Sequence, residues 1–323
     1  MPNRMKTIYQ KLRIAALPFM LFMGLCLTPA QAGVKGDFLY NLSGFTGTIP
    51  YNTPTLAVDK ENREAYVLYQ NSISVFNDSG MEIYRFGDDL DSGHIVDITL
   101  AQDGEILLLT YRETEPGKTL MGIVRCNFRG EPTGKIAIKN LPDKFAKFSP
   151  NRMIYHRGDL YLANLSQLKI VLTDSDGGFR KGYDLVPLLG LKETDRGDIE
   201  MSGFAVTEEE GIIFTIPVLF SAYSLDRDGK LASFGKPGSA PGKFNIIAGI
   251  VTDSRGNYLV VDKLKCAVMV FDKNFNYLTQ FGYRGLNAGD LIAPHNIAID
   301  WRGRVYVTQN GKRGVSVYRM TYN

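Results

Sequence analysis

The chain has 323 residues, with 37 Lys and Arg against 34 Asp and Glu, three His, three Cys and one Trp. Four of the basic residues, Arg4, Lys6, Lys11 and Arg13, fall in the first thirteen positions, so the remainder is close to neutral. It carries no Lys/Arg cluster able to track a phosphate backbone, which excludes nucleic acid as a partner, and after Gly33 no apolar stretch long enough to span a membrane.

The basic segment leads into an apolar run, Ile14 to Leu27, and then into Ala30-Gln31-Ala32 ahead of Gly33. That order of basic, apolar and small-x-small segments predicts a cleavable secretion signal over residues 1–32. The apolar run is short of the roughly 20 residues a spanning helix needs. Cys26 follows Leu25, where a lipid-attachment site requires a small residue, so lipidation is not expected. Residues 33–323 are read as one exported domain, periplasmic or extracellular, with 33 basic and 34 acidic residues and a net charge of −1.

Along that domain a turn-then-strand mark recurs at Arg63, Gly104, Gly158, Gly211, Gly256 and Gly303. Internal repetition of this length signals a repeat architecture. The register is clearest at the end, where Phe234-Gly235, Asp253-Ser-Arg-Gly256 and Val270-Phe271 recur 47 positions later as Phe281-Gly282, Asp300-Trp-Arg-Gly303 and Val317-Tyr318. Each unit reads as four short strands. In the last, Ile297 to Ile299, Val305 to Val307 and Ser316 to Tyr318 give three, and Tyr277 to Phe281 is the fourth of the unit before. Polar stretches at 113–119 and 185–199 are read as loops that lengthen two units. The last unit lacks a fourth strand, and Phe38 to Leu42 resembles the missing one. The fold expected is therefore all-β: a six-bladed β-propeller of four-stranded antiparallel blades, closed by the strand that begins the mature domain.

The runs Gly242-Lys-Phe244, Gly249-Ile-Val-Thr-Asp253, Gly256-Asn-Tyr-Leu-Val-Val-Asp262 and Val268-Met-Val-Phe-Asp272 resemble an NHL repeat, as does Pro294-His-Asn-Ile-Ala-Ile-Asp300. The likeness is fainter at Pro54 to Asp59 and weak in blades two to four. Lys263-Leu-Lys265-Cys266 departs from it, since an Asn-Arg pair is usual there. The resemblance implies a ring with a central channel and two loop-bearing faces, and no single activity.

Candidate site residues are those at the leading ends of the innermost strands, which ring the channel: His94, Asp97, Asn151, His295 and Asn296. Pro294-His295 resembles one of the zinc positions of the peptidyl-hydroxyglycine amidating lyases, a branch of six-bladed propellers. Zinc needs three convergent protein ligands. The metal candidates are His94 and His295, with Asp97 or Glu200 as the third. His156 falls in a turn away from that ring. Gluconolactonase-like propellers bind a divalent cation through Glu, Asn and Asp, which Asn296, Asn151 and Asp97 could imitate. Asp174-Ser-Asp-Gly-Gly178 and Asp226-Arg-Asp-Gly229 look faintly like calcium loops, but Asp-Gly is also what a hairpin turn requires. Cys126 and Cys266 fall in third strands of blades two and five, opposite in the ring, which predicts two unpaired thiols.

The expectation that follows is a non-catalytic extracytoplasmic binding or scaffold protein that presents propeller faces to a protein or small ligand, with no cofactor. The alternative is a metal-dependent lyase or hydrolase at the channel mouth, holding zinc or calcium.

Overall fold

The run Ile106-Leu107-Leu108-Leu109 has no polar alternation because the sheet containing it is buried on both sides. Ile106 and Leu108 pack with Tyr66, Leu68 and Ile73 of the preceding sheet, and Leu107 and Leu109 with Leu160, Leu162 and Val171 of the following one. Successive side chains of a strand point to opposite faces, so a sheet between two others needs apolar residues at every position. Among the described residues six hydrophobic clusters form, one in each seam between neighbouring sheets.

The computed structural model describes residues 33–322 except 45, 46, 50, 60, 61, 88–92, 116, 117 and 312. The expected signal, residues 1–32, lies outside them. Six four-stranded antiparallel sheets form the blades. From the axis outward, blade one is Thr55–Asp59, Glu64–Tyr69, Ser72–Phe76 and Glu82–Phe86. Blade two is His94–Leu100, Ile106–Glu115, Lys118–Cys126 and Pro132–Ile136. Blade three is Arg152–His156, Asp159–Asn164, Lys169–Asp174 and Phe179–Asp184. Blade four is Phe204–Val206, Ile212–Ile216, Ser221–Leu225 and Leu231–Phe234. Blade five is Ile247–Thr252, Tyr258–Asp262, Ala267–Phe271 and Tyr277–Phe281. Blade six is Ile297–Ile299, Arg304–Thr308 and Val315–Tyr322, completed by Val34–Asn41. Each inner strand lies beside the next, and Ile297–Ile299 lies beside Thr55–Asp59, so the ring is closed.

The closing strand pairs antiparallel with the third strand of blade six, from Val34 opposite Tyr322 to Asn41 opposite Ser316. It starts four residues before the expected Phe38 and ends one before Leu42, whose N–H still donates to the Val315 carbonyl at 2.9 Å. Closure of this kind removes the open sheet edges that would otherwise pair with other chains.

Chain direction defines two faces. Inner strands start at the upper face, which also carries the second-to-third-strand turns; the first-to-second-strand turns lie at the lower face. Five of the six repeat marks adopt the positive φ those lower turns need: Arg63, Gly104, Gly158, Gly256 and Gly303. In blade four the left-handed residue is Glu210 (φ 64°) and not Gly211. Third-to-fourth-strand turns seat against the outer strand of the blade before. At Gly130, φ is +79° and a Cβ would stand 2.1 Å from the Phe86 ring, so only glycine fits.

The two expected loops are partly structured. Within 113–119 the described residues are strand and not loop, since the second and third strands of blade two stay paired from Ile106 opposite Cys126 to Glu115 opposite Lys118. Arg112 to Glu115, Thr119 and Leu120 are exposed, so this part of the ladder needs no apolar alternation and leaves no hydrophobic signal. Within 185–199 lie a short helix, Leu185–Leu188, capped by the Asp184 side chain on Val186 N–H, and a 3-10 turn, Glu193–Gly197. Among the described residues no helix is long and apolar enough to cross a membrane.

Candidate binding site at the channel mouth

The polar groups expected at the mouth lie at the leading ends of inner strands, and two of the five, Asp97 and Asn296, bond across to a neighbouring blade. Asp97, 1% exposed, accepts the Met153 N–H at 2.6 Å and lies 3.3 Å from Arg152 Nε, across the seam between blades two and three. Thr99 Oγ1 repeats the link one step lower by accepting Tyr155 N–H at 2.9 Å. Asn296 donates from Nδ2 to the Pro54 carbonyl at 2.8 Å, joining blade six to blade one. Other seams use residues outside that set, and the main chain of His295. Asn71 Oδ1 accepts Ile95 N–H at 2.6 Å, Thr215 Oγ1 donates to the Ala248 carbonyl at 2.5 Å, and Gly249 N–H donates to the His295 carbonyl at 2.8 Å. Asn151 works locally, its Oδ1 accepting Leu165 N–H at 3.0 Å.

Three basic side chains approach the mouth from different blades. His295 precedes the inner strand of blade six, with Nδ1 3.3 Å from Asn296 Oδ1. Burial pushes its pKa down to about 4, helped by the positive charge of Lys263 and, less, of Arg152, while the Asn296 contact opposes the shift. The imidazole is therefore neutral near pH 7. Lys263 follows the second strand of blade five, and burial lowers its pKa. Arg152 begins the inner strand of blade three. Its Nε is buried without a hydrogen bond, although Asp97 lies alongside. Burial raises the Asp97 pKa, opposed by Arg152 and by the Met153 and Ile98 backbone donors.

His94 is exposed at the same face, opposite Tyr111 in the ladder. Glu200 is exposed and accepts the Ser166 hydroxyl at 2.9 Å. His156 lies at the lower face, as expected. Among the described residues no three His, Cys, Asp or Glu side chains gather as a metal ligand set. The two acidic turns are hairpin turns: Asp174 Oδ1 accepts the N–H groups of Asp176 and Gly178 at 3.0 and 2.8 Å, and Asp226 Oδ1 accepts Lys230 N–H at 2.8 Å. Asp253, Asp272 and Asp300 make the same pair of bonds two and four residues on.

Below the mouth the channel holds a cavity of about 440 Å³, lined by inner strands of all six blades. Its wall exposes polar and apolar surface in equal measure: Val58, Leu100, Ile154, Val206, Val251 and Ile299 line it together with Thr99, Thr252 and the charged residues at its ends. Arg152 reaches it at the upper end, and Gln102, His156 and Glu208 lie at the lower end. Cys126 and Cys266 are buried and unpaired. Cys126 ends its third strand, while Cys266 lies one residue before Ala267–Phe271, in a left-handed turn position with φ 55°.

No family model and no curated protein matches the chain. Solved structures share its fold. A Bacteroides thetaiotaomicron protein of unknown function aligns with TM-score 0.61 at 13% identity, over 89% of this chain and 76% of that one. A catalytically inactive histidine-to-alanine variant of Staphylococcus aureus virginiamycin B lyase, with quinupristin, aligns with TM-score 0.55 at 13% identity, over 90% and 100%. A luciferin-regenerating enzyme aligns with TM-score 0.57 at 14% identity, over 90% and 95%. At such identities the likeness is one of fold, and the chain is a six-bladed β-propeller.

Proposed function

We propose that this is a non-catalytic binding or scaffold protein of an extracytoplasmic compartment, built on NHL-type repeats, whose upper face docks a protein partner. Apolar surface at that face carries the reading. Leu264, Tyr283 and Leu286 are 50%, 64% and 82% exposed, and Val218, Phe220 and Ile246 accompany them on loops of blades four to six. Single exposed apolar side chains are ordinary; several gathered on one face mark an interaction site. Hydrogen bonds join these loops: Lys263 N–H donates to the Ile246 carbonyl at 2.8 Å, and the Arg284 side chain donates from Nη2 to the Leu264 carbonyl at 3.1 Å. The secretion-signal pattern of residues 1–32 supports the compartment, and the commitment of Asp97, Asn151 and Asn296 to hydrogen bonds within the ring supports binding over catalysis.

Affinity capture from the native envelope fraction tests this reading. A discrete partner retained by the wild type and by Trp301→Asp, at the lower face, should be lost by Leu264→Asp combined with Leu286→Asp. Equal capture by all three, or by none, would contradict it. The second reading, a metal-dependent lyase or hydrolase, draws support from the neutral His295 at the mouth and from a lyase with an inactive histidine variant among the fold neighbours. That support is fold-level analogy.

A further inference from the structure

We infer that the partner docked at the upper face is an acidic protein, whose carboxylates meet cations fixed among the exposed apolar side chains of blades four to six. The inference rests on the reading of that face as a protein-docking surface and adds the chemistry of what docks there.

The domain carries nearly equal numbers of acidic and basic residues, yet they are unevenly spread. The upper loops of blades four to six are 235–246, 262–266, 282–296 and 309–314. Their described residues include Lys236, Lys243, Lys263, Lys265, Arg284 and Arg313 against two carboxylates, Asp262 and Asp290. Neither carboxylate is turned to the cations. Asp262 is fully buried and accepts the N–H groups of Asn245, Leu264 and Lys265 at 2.7, 3.0 and 2.9 Å. Asp290 is held in its own loop, where Oδ2 accepts the Asn287 N–H at 2.9 Å. None of the six cations forms an ion pair with another described residue.

Three of them donate instead to main-chain carbonyls, which fixes where their charges stand without neutralising them. Lys265 Nζ donates to the Ser239 and Ala240 carbonyls at 3.1 and 2.8 Å. Arg284 Nη2 donates to the Leu264 carbonyl at 3.1 Å. Arg313 donates from Nη1 to the Gly285 carbonyl at 2.9 Å and from Nη2 to those of Leu286 and Asn287 at 3.3 and 3.1 Å. Each bond runs from one loop to the next, so the four loops form one continuous surface. The exposed apolar groups are interleaved with these cations. Leu264 lies between Lys263 and Lys265, Tyr283 precedes Arg284, and Leu286 belongs to the segment that Arg313 clasps.

Apolar surface alone would accept any apolar partner. A field of one sign beside it favours a partner of the opposite sign, speeds encounter and suppresses wrong pairings. Fixed cations suit carboxylates fixed in a folded protein, because side chains already ordered lose less freedom on binding. A fluid bilayer, whose headgroups move to meet a charge, needs no such order.

The test uses the protein that the wild type captures from the envelope fraction, purified and titrated by biolayer interferometry. Its affinity should fall about tenfold between about 50 and about 500 mM NaCl, mainly through the association rate. Lys236→Glu combined with Lys243→Glu, both at exposed positions, should cost about tenfold at the lower salt and little at the higher. Affinity indifferent to salt and to the double reversal, in a protein that still melts cooperatively, overturns the acidic partner and leaves docking through the apolar surface intact. The salt dependence of the wild type decides the matter if the variant fails to fold. Sedimentation of the wild type with phosphatidylcholine vesicles containing phosphatidylglycerol, lost by Leu264→Asp combined with Leu286→Asp, would assign the face to a bilayer and overturn the inference. Capture of no protein at all overturns the docking reading itself, and this inference with it.

Discussion

Replacing Asp97 by alanine should destabilise the ring even with no ligand present, because the carboxylate belongs to a seam. It is 1% exposed, accepts Met153 N–H at 2.6 Å, and lies 3.3 Å from Arg152 Nε. Water cannot replace it from solvent, so the Met153 donor is left unsatisfied at a cost of about 1–3 kcal/mol. The guanidinium of Arg152 is stranded as well, but it is 22% exposed and lines the channel, so that loss is partly screened. We take about 3 kcal/mol in all. With an unfolding entropy of about 2.1 cal/mol/K per residue, a domain of this size should lose about 5 °C in Tm. Asp97→Asn keeps an acceptor of the same shape and should lose less than half as much. Differential scanning calorimetry and urea unfolding measure both variants. A Tm within about 1 °C of wild type for Asp97→Ala, or equal losses for the two variants, would refute the seam assignment.

Other consequences are as open to test. His295 has a folded pKa lowered to about 4 from an ordinary 6.5, so the unfolded state binds more protons between those values, and stability should fall as pH drops from 6.5 toward 4. His295→Gln should flatten that part of the profile in urea melts, and an unchanged profile would contradict the burial of the ring. Gly130→Ala, at φ +79° with Phe86 in the way, should cost more than about 1 kcal/mol by the same melts. Cys126 and Cys266 should alkylate only after denaturation and never appear as a cross-linked peptide in a non-reduced digest. Burial raises the Cys126 thiol to about 11, which further slows its reaction.

Most of the ring could be read from the chain because each blade repeats the same local solution. An Asp or Asn opens a turn, a left-handed residue closes it, and an uninterrupted apolar strand follows, as at Asp300, Gly303 and Val305. Two departures have local causes. In blade two the paired strands continue past the sheet to Glu115 and Lys118 through exposed residues, whose ladder needs no apolar alternation. The left-handed role at the lower turn of blade four passes to Glu210, which a search for glycine overlooks. The mouth was legible by register but not by role. Asp97 and Asn296 are where the repeat puts them, yet their partners Met153 and Pro54 are 56 and 242 positions away, beyond what spacing can reveal. Lys263 stood out only as a departure from an NHL-like pattern. The exposed apolar loops gave no signal at all, since Leu264, Tyr283 and Leu286 look the same in sequence whether buried or not.

A mouth whose carboxylate and amide groups, Asp97, Asn151 and Asn296, are spent within the ring should bind its ligand without metal chemistry. Elemental analysis of the purified, dialysed protein, paired with melting in the presence and absence of EDTA, tests it most directly. Less than a tenth of an equivalent of zinc, calcium or manganese per chain and superimposable melting curves are expected. One equivalent of metal per chain, with a Tm lowered both by EDTA and by His295→Ala, would contradict it and favour the metal-dependent enzyme.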